Sequence, residues 1–196
     1  MTGFGPPIVQ PGAPGASSRV IAAVKAADLS KVRHTAADVQ FMQGMIHHHA
    51  QALDMTTLLA THTASEDMRK LALRIELSQA DEIKMMQRWL EVRGQEAPSE
   101  HAHHLPGATL MPGMLTPEEM ERLGEAQGEA FDRLFLEFMI KHHAGALIMV
   151  EELFSSAGAA QESEIFAFAS DVVADQKMEI DRMGGMLGTI LKELQK

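Results

Sequence analysis

The stretch MIHHHAQALDM, residues 45–55, sets three consecutive histidines among the methionines, isoleucine and leucine of an apolar helical face. Starting at Phe41, the residues Phe41, Met45, His48, Ala52, Met55 and Leu59 advance by four, three, four, three and four. That interval draws one stripe down an α-helix. A neighbouring stripe of Met42, Ile46, His49 and Leu53 widens the face. His48 and His49 therefore belong to the side expected to be buried, whereas His47 falls on the polar side and is expected to face solvent. Buried imidazole calls for an explanation, because a polar group taken out of water costs free energy unless it finds a partner.

The pattern recurs. MIKHHAGALIM, residues 139–149, carries the last two histidines again, 94 residues on. Its stripe is Phe135, Met139, His142, Ala146, Met149 and Leu153, the same six residue types at the same spacing; its neighbour is Leu136, Ile140, His143 and Leu147. A second pair of segments repeats as well: Gln79, Glu82, Ile83 and Met86 match Gln176, Glu179, Ile180 and Met183 at an offset of 97. The three additional residues fall in the turn of the second copy, where an insertion costs least. Each half is thus expected to be a helical hairpin, one helix offering Met-x-x-His-His and the other Gln-x-x-Glu-Ile-x-x-Met. Neither hairpin can bury its apolar face alone, so the two are expected to pair into an all-α, antiparallel four-helix bundle with approximate two-fold symmetry.

Punctuation residues set the boundaries. Residues 1–34 read as a Gly/Pro-rich leader, flexible over 1–18, with a short helix over 19–29. It lacks the charged start and apolar core of a signal peptide. The bundle is expected over 35–196. Repeat one spans 35–93, with Thr35 as N-cap, Asp38 in a capping-box position and a stop at Gly94. A linker over 94–115 carries His101, His103, His104, Met111 and Met114, either as a flexible capture site or as a solvated loop. Repeat two spans 116–196 and opens on Thr116 as N-cap with Pro117 at the first helical position; its first helix is expected to bend near Gly124 and Gly128. Long β-branched alternating runs are absent, so strands are not expected.

Composition removes several function classes. A formal charge of −10 over 196 residues is wrong for nucleic acid, which needs clustered Lys and Arg. No apolar run approaches the roughly 18 residues needed to span a bilayer. The chain has no cysteine, which excludes disulfides, thiolate metal sites and a cysteine nucleophile. No strand–turn–helix elbow surrounds any serine, so catalysis finds little support. His34 and His62 sit near helix ends, where they cap more often than they catalyse. The chain is instead rich in methionine and histidine, with 15 and 10 residues.

Imidazole and thioether without thiolate suit copper: thioether is soft and selects Cu(I), and imidazole binds either oxidation state. Met45 and His48 lie about 4.5 Å apart along one face and can chelate one ion. Met55 lies roughly 10.5 Å beyond His48 along the axis, fitting a route or a second site. Zinc is an alternative through histidine with Glu82 or Glu179, though it leaves the methionines unexplained. A di-iron centre wants Glu-x-x-His, and the residues three before the histidine pairs are Met45, Ile46, Met139 and Ile140. Against all metal readings, methionine fills irregular cores, and Gln79, Glu82, Gln176 and Glu179 could simply hydrogen-bond the histidines and fix helix register.

The runs FMQGMIHHHAQALDM and FDRLFLEFMIKHHAGALIM, the segments QADEIKMM and QKMEIDRM, and the join MPGMLTPEEMERL resemble the DUF305 family. That family contains CopM-like copper-binding proteins and has a ferritin-like four-helix fold. The resemblance spans about residues 35–190 and implies an exported, metal-handling protein. Carried onto this chain, it places ligands at His48, His49, His142 and His143 with nearby methionines. The chain departs from its own repeat at His47 and at Ile148, where the first copy has Asp54. The candidate metal set is therefore His48, His49, Met45, Met55, Met86 and Glu82 from one half, and His142, His143, Met139, Met149, Met183 and Glu179 from the other. Three function classes follow: copper binding, carriage or resistance; a copper or iron oxidase; and a metal-free bundle with a buried polar network. The expected partners are the metal ion and either a second copy or a metal-exchange protein.

Overall fold

The structure, a computed structural model, describes residues 8–10, 17–22, 32–99 and 110–193, and the chain divides into two units at residues 33 and 34. In the first unit, β1 (Ile8–Gln10) and β2 (Arg19–Ile21) pair antiparallel, with Ile8 opposite Ile21 and Val9 opposite Val20. This corrects two expectations: Ile8–Gln10 is not formless leader, and Arg19–Ile21 is strand rather than the start of a helix. β-branched residues on both sides of the ladder favour the extended backbone even in so short a run. Residues 23–29 of the expected helix lie outside the described residues.

The second unit is helical. Helix α1 (Ala36–Thr57) starts as expected: the Asp38 N–H donates to Thr35 Oγ1 at 3.2 Å and the Thr35 N–H to Asp38 Oδ2 at 2.6 Å. Asp38 does more than cap, since its Oδ1 also accepts from the Ala160 N–H at 2.7 Å, tying the turn of the second hairpin to the start of the first. A break at Leu58 separates α1 from a short turn of helix, α2 (Leu59–His62). Helix α3 (Glu66–Val92) follows, with Ser65 as N-cap, and Gly94 takes φ +66° beyond its end, a conformation that favours glycine. The expected bend after Thr116 is a full break: α4 (Pro117–Glu125) ends at Ala126, and α5 (Gly128–Ser155) begins at a glycine with φ +58°. Helix α6 (Ser163–Glu193) completes the second hairpin.

Helix α1 packs on α3, α5 on α6, and the two hairpins join along α1 and α5, whereas α3 and α6 approach each other less closely. The core divides into two apolar clusters. One takes Phe41–Ala50 of α1, Ile83–Leu90 of α3, Ala146–Leu153 of α5 and Ile165–Val172 of α6. The other takes Ala52–Met55 of α1 with Leu59, Met68–Ile75 of α3, Phe131–Met139 of α5 and Met183 of α6. The first half of α1 thus meets the second halves of α3 and α5, which makes both pairs antiparallel. Phe131, Phe135, Met42 and Ile75 are among the fully buried side chains, each contributing about 1.5–3 kcal/mol by leaving water. Between the clusters lies a polar layer of His48, His49, Gln79, His142, His143, Gln176 and Glu179, all buried.

Candidate metal centre

The layer is assembled where α1 meets α5. The rings of His48 and His142 stack with centroids 3.7 Å apart and planes tilted by 37°. His49 and His143 flank them, 6.2 Å and 6.3 Å from their respective neighbours. The partner helices supply carboxylates as the repeat predicts. His49 Nε2 lies 2.5 Å from Glu82 Oε2, and His143 Nε2 lies 2.7 Å from Glu179 Oε2. His48 Nε2 lies 3.1 Å from the Pro112 carbonyl.

These acceptors fix the tautomers. A carbonyl or carboxylate oxygen can only accept, so in the neutral ring each Nε2 carries the proton and each Nδ1 keeps its lone pair. The Nδ1 atoms of His48, His49 and His143 are buried without a hydrogen-bond partner. His142 goes further: both its ring nitrogens are buried and unpartnered. The His48 carbonyl raises its pKa only as the weakest of the influences on it, and no hydrogen bond of acceptable geometry joins the two. An Nε2–H held by oxygen with a free Nδ1 lone pair is the orientation that outer partners impose on metal-ligating histidine. Burial pushes the pKa of His48 down to about 3, with the His49 and His143 charges adding to the effect and the Pro112 bond opposing it. Burial, then His48, His143 and His49, holds His142 well below the usual histidine range. Both rings are neutral at ordinary pH, as ligands must be.

The candidate methionines are all buried but do not gather at one point. Met45, Met86 and Met149 belong to the cluster on one side of the histidine layer, and Met55, Met139 and Met183 to the cluster on the other. Spacing along a helix shows that Met45 shares a face with His48; it does not show that antiparallel packing sends Met45 and Met139 to opposite sides. Among the described residues, no three His, Asp or Glu side chains are arranged to hold a metal as they stand.

The end of the linker is not a solvated loop. Leu115 exchanges two hydrogen bonds with the Gln51 side chain, at 2.9 Å and 2.7 Å, and Met114 is buried. The backbone at Gly113 presses on Gly145, whose missing Cβ would sit 2.6 Å from Gly113 Cα. Met111 and Met149 converge over Gly44, where a Cβ would lie 3.6 Å from Met111 Sδ and 3.4 Å from Met149 Cε. Sequence reasoning missed Gly44, Gln51, Gly113 and Gly145, because each matters only through a neighbour distant in the chain. His101, His103 and His104 lie outside the described residues. His47 is half-buried rather than fully solvent-facing. His62 bridges helix ends, with Nδ1 2.7 Å from the Leu58 carbonyl and Nε2 2.9 Å from that of Gly124. His34 meets the edge of Trp89.

No helix among the described residues is long and apolar enough to cross a membrane. No curated protein matches the chain. Solved structures do. A DUF305 fragment from Deinococcus radiodurans is 34% identical, with a TM-score of 0.68 over 80% of this chain and 98% of its own. A presumed secreted DUF305 protein from Streptomyces coelicolor is 29% identical, with a TM-score of 0.68 over 79% and 93%. CopM in its Cu(II)-bound form is 26% identical, with a TM-score of 0.64 over 78% of this chain and 96% of that one; Cu(I)-bound and silver-bound forms of CopM also match. The family described as a domain of unknown function, DUF305, matches residues 38–187, and the chain belongs to it.

Proposed function

We propose that the chain binds copper at the histidine layer, with His48 and His142 at its centre, and acts in copper carriage or resistance outside the cytoplasm. The observation that carries this reading is His142: a fully buried imidazole with neither nitrogen partnered, stacked on a second ring whose Nδ1 is also free. Leaving such atoms unsatisfied costs about 1–3 kcal/mol each. A metal ion accounts for that cost. His49 and His143, oriented by Glu82 and Glu179, supply two more Nδ1 lone pairs. Because no three His, Asp or Glu side chains among the described residues are arranged for an ion, a methionine thioether completing the set favours Cu(I) over zinc or iron. Met45 and Met139 are the candidates by their place one turn before His48 and His142. The CopM structures with Cu(I), Cu(II) and silver support the choice of a soft metal, and the Streptomyces relative supports export.

The metal-free reading rests on the satisfied His49–Glu82 and His143–Glu179 bonds, which alone would suit a register-fixing network; it leaves His142 without a role. An oxidase would need the ion to cycle between oxidation states with a donor. Competition against a chromophoric Cu(I) chelator, on protein purified without a histidine tag, tests the proposal. The chain should take Cu(I) from the chelator, and the double variant His48→Ala/His142→Ala should hold it at least tenfold more weakly. Equal affinity in the two proteins would place the copper elsewhere.

A further inference from the structure

The histidine layer is closed on three sides. Apolar clusters lie above and below it. Over α1 and α5 the segment 111–116 is bonded down, through His48 to Pro112, through Gln51 to Leu115, and by the glycine contact of Gly113 with Gly145. Crossing an apolar cluster would strip a cation of its water with nothing in exchange, which is prohibitively costly. The fourth side is different. Helices α3 and α6 do not pack closely, and a groove of about 980 Å³ runs between them.

Asp81, Glu82, Glu164, Asp171 and Asp175 line that groove against Arg88 and Arg93, so acids outnumber bases along it. Glu82 belongs to both places: it lines the groove, and its Oε2 accepts from buried His49. Glu179 holds His143 in the same way and reaches Arg74 at 3.7 Å across the helices. The Asp175 carboxyl is pushed up by burial, then by the charges of Glu82 and Glu179, with Arg74 opposing, so the three acids share one small region. Behind them, Gln79 and Gln176, 1% and 2% exposed, each keep an Oε1 with no partner, one turn from Glu82 and Glu179.

We propose that the α3/α6 groove is the route by which a copper cation reaches the buried histidines, collected by Asp171 and Asp175 and handed inward through Glu82 and Glu179. This deepens the copper reading and rests on it. Each carboxylate replaces part of the ion's lost hydration, and the glutamates already touch the rings that receive it. A negative cleft with low-dielectric walls also speeds arrival, by roughly ten- to a thousandfold at low ionic strength.

Stopped-flow uptake of Cu(II) by metal-free protein at low salt tests the route. The probe variant is Asp171→Asn/Asp175→Asn. The control, Glu66→Gln/Asp67→Asn, removes the same charge at exposed positions on α3, where Asp67 lies about 21 Å along the helix from Asp81. The groove pair should slow association at least tenfold and slow dissociation in proportion, leaving stoichiometry and Kd unchanged, while the control should match the parent. Equal slowing in both variants, or in neither, would overturn the route. Weaker Kd with unchanged association would make the aspartates part of the site rather than the path to it. Failure of the parent chain to take up copper, or undiminished binding without His48 and His142, would instead remove the copper reading and the route with it.

Discussion

Replacing His142 by leucine separates a metal ligand from a member of a structural network. In the metal-free protein His142 is fully buried and neither ring nitrogen is hydrogen-bonded. Leucine, of similar volume, removes a buried donor and a buried acceptor without opening a cavity. Relief of even one unsatisfied group is worth about 1–3 kcal/mol, and loss of the ring stacking with His48 takes back about 0.5–1.5 kcal/mol. The net centres on a gain of about 1 kcal/mol, which in a domain of this size raises Tm by about 2–4 °C. Thermal melts of chelator-treated protein at pH 8 would measure it, with circular dichroism as the check on helix content. Copper at a hundredfold excess over Kd should stabilise the parent by about 2.7 kcal/mol and the variant much less. A metal-free variant whose Tm falls by several degrees would refute the reasoning, because His142 would then be making a bond that holds the fold.

Met45→Leu with Met139→Leu should cost less than about 1.5 kcal/mol, since the swap conserves size, yet weaken Cu(I) markedly and Cu(II) less; parental Cu(I) affinity in a chelator competition would make those methionines packing alone. Acid should destabilise the metal-free fold: unfolded histidine binds a proton at about pH 6.5, folded His48 only at about 3, so stability is complete above pH 6.5 and falls as pH drops towards 3. Urea midpoints that stay flat from pH 7 to 4 would contradict this. Gly145→Ala should cost several kcal/mol or displace the segment 111–116, because its Cβ would overlap the Pro112 carbonyl; hydrogen exchange at Leu115, protected by Gln51 in the parent, would report the release.

Much of the helical unit is legible in the sequence because its signals are local. Thr35 with Asp38 and Thr116 with Glu119 form the capping boxes their spacing suggests, and the paired stripes place all four histidines in the interior. The His–Glu bonds follow from the repeat, since one contact made twice leaves the same residues at the same offset. What the sequence hides depends on neighbours far along the chain. Nothing local says that Gln51 holds Leu115, that two glycines allow the segment 111–116 to lie on α5, or that α3 and α6 leave a groove between them. Nor does helical period tell that the methionines sort to both sides of the layer. The strand at Arg19–Ile21 escaped because three residues are too few to show alternation, and its partner lies nine residues earlier.

Copper K-edge X-ray absorption on Cu(I)-loaded protein bears most directly on whether the histidine layer is the metal site. The parent should show imidazole nitrogen together with thioether sulfur around the ion, and the nitrogen signature should shrink in His48→Ala/His142→Ala, where only His49 and His143 remain. A spectrum without imidazole, or one unchanged by removal of those two histidines, would contradict the copper site at the layer.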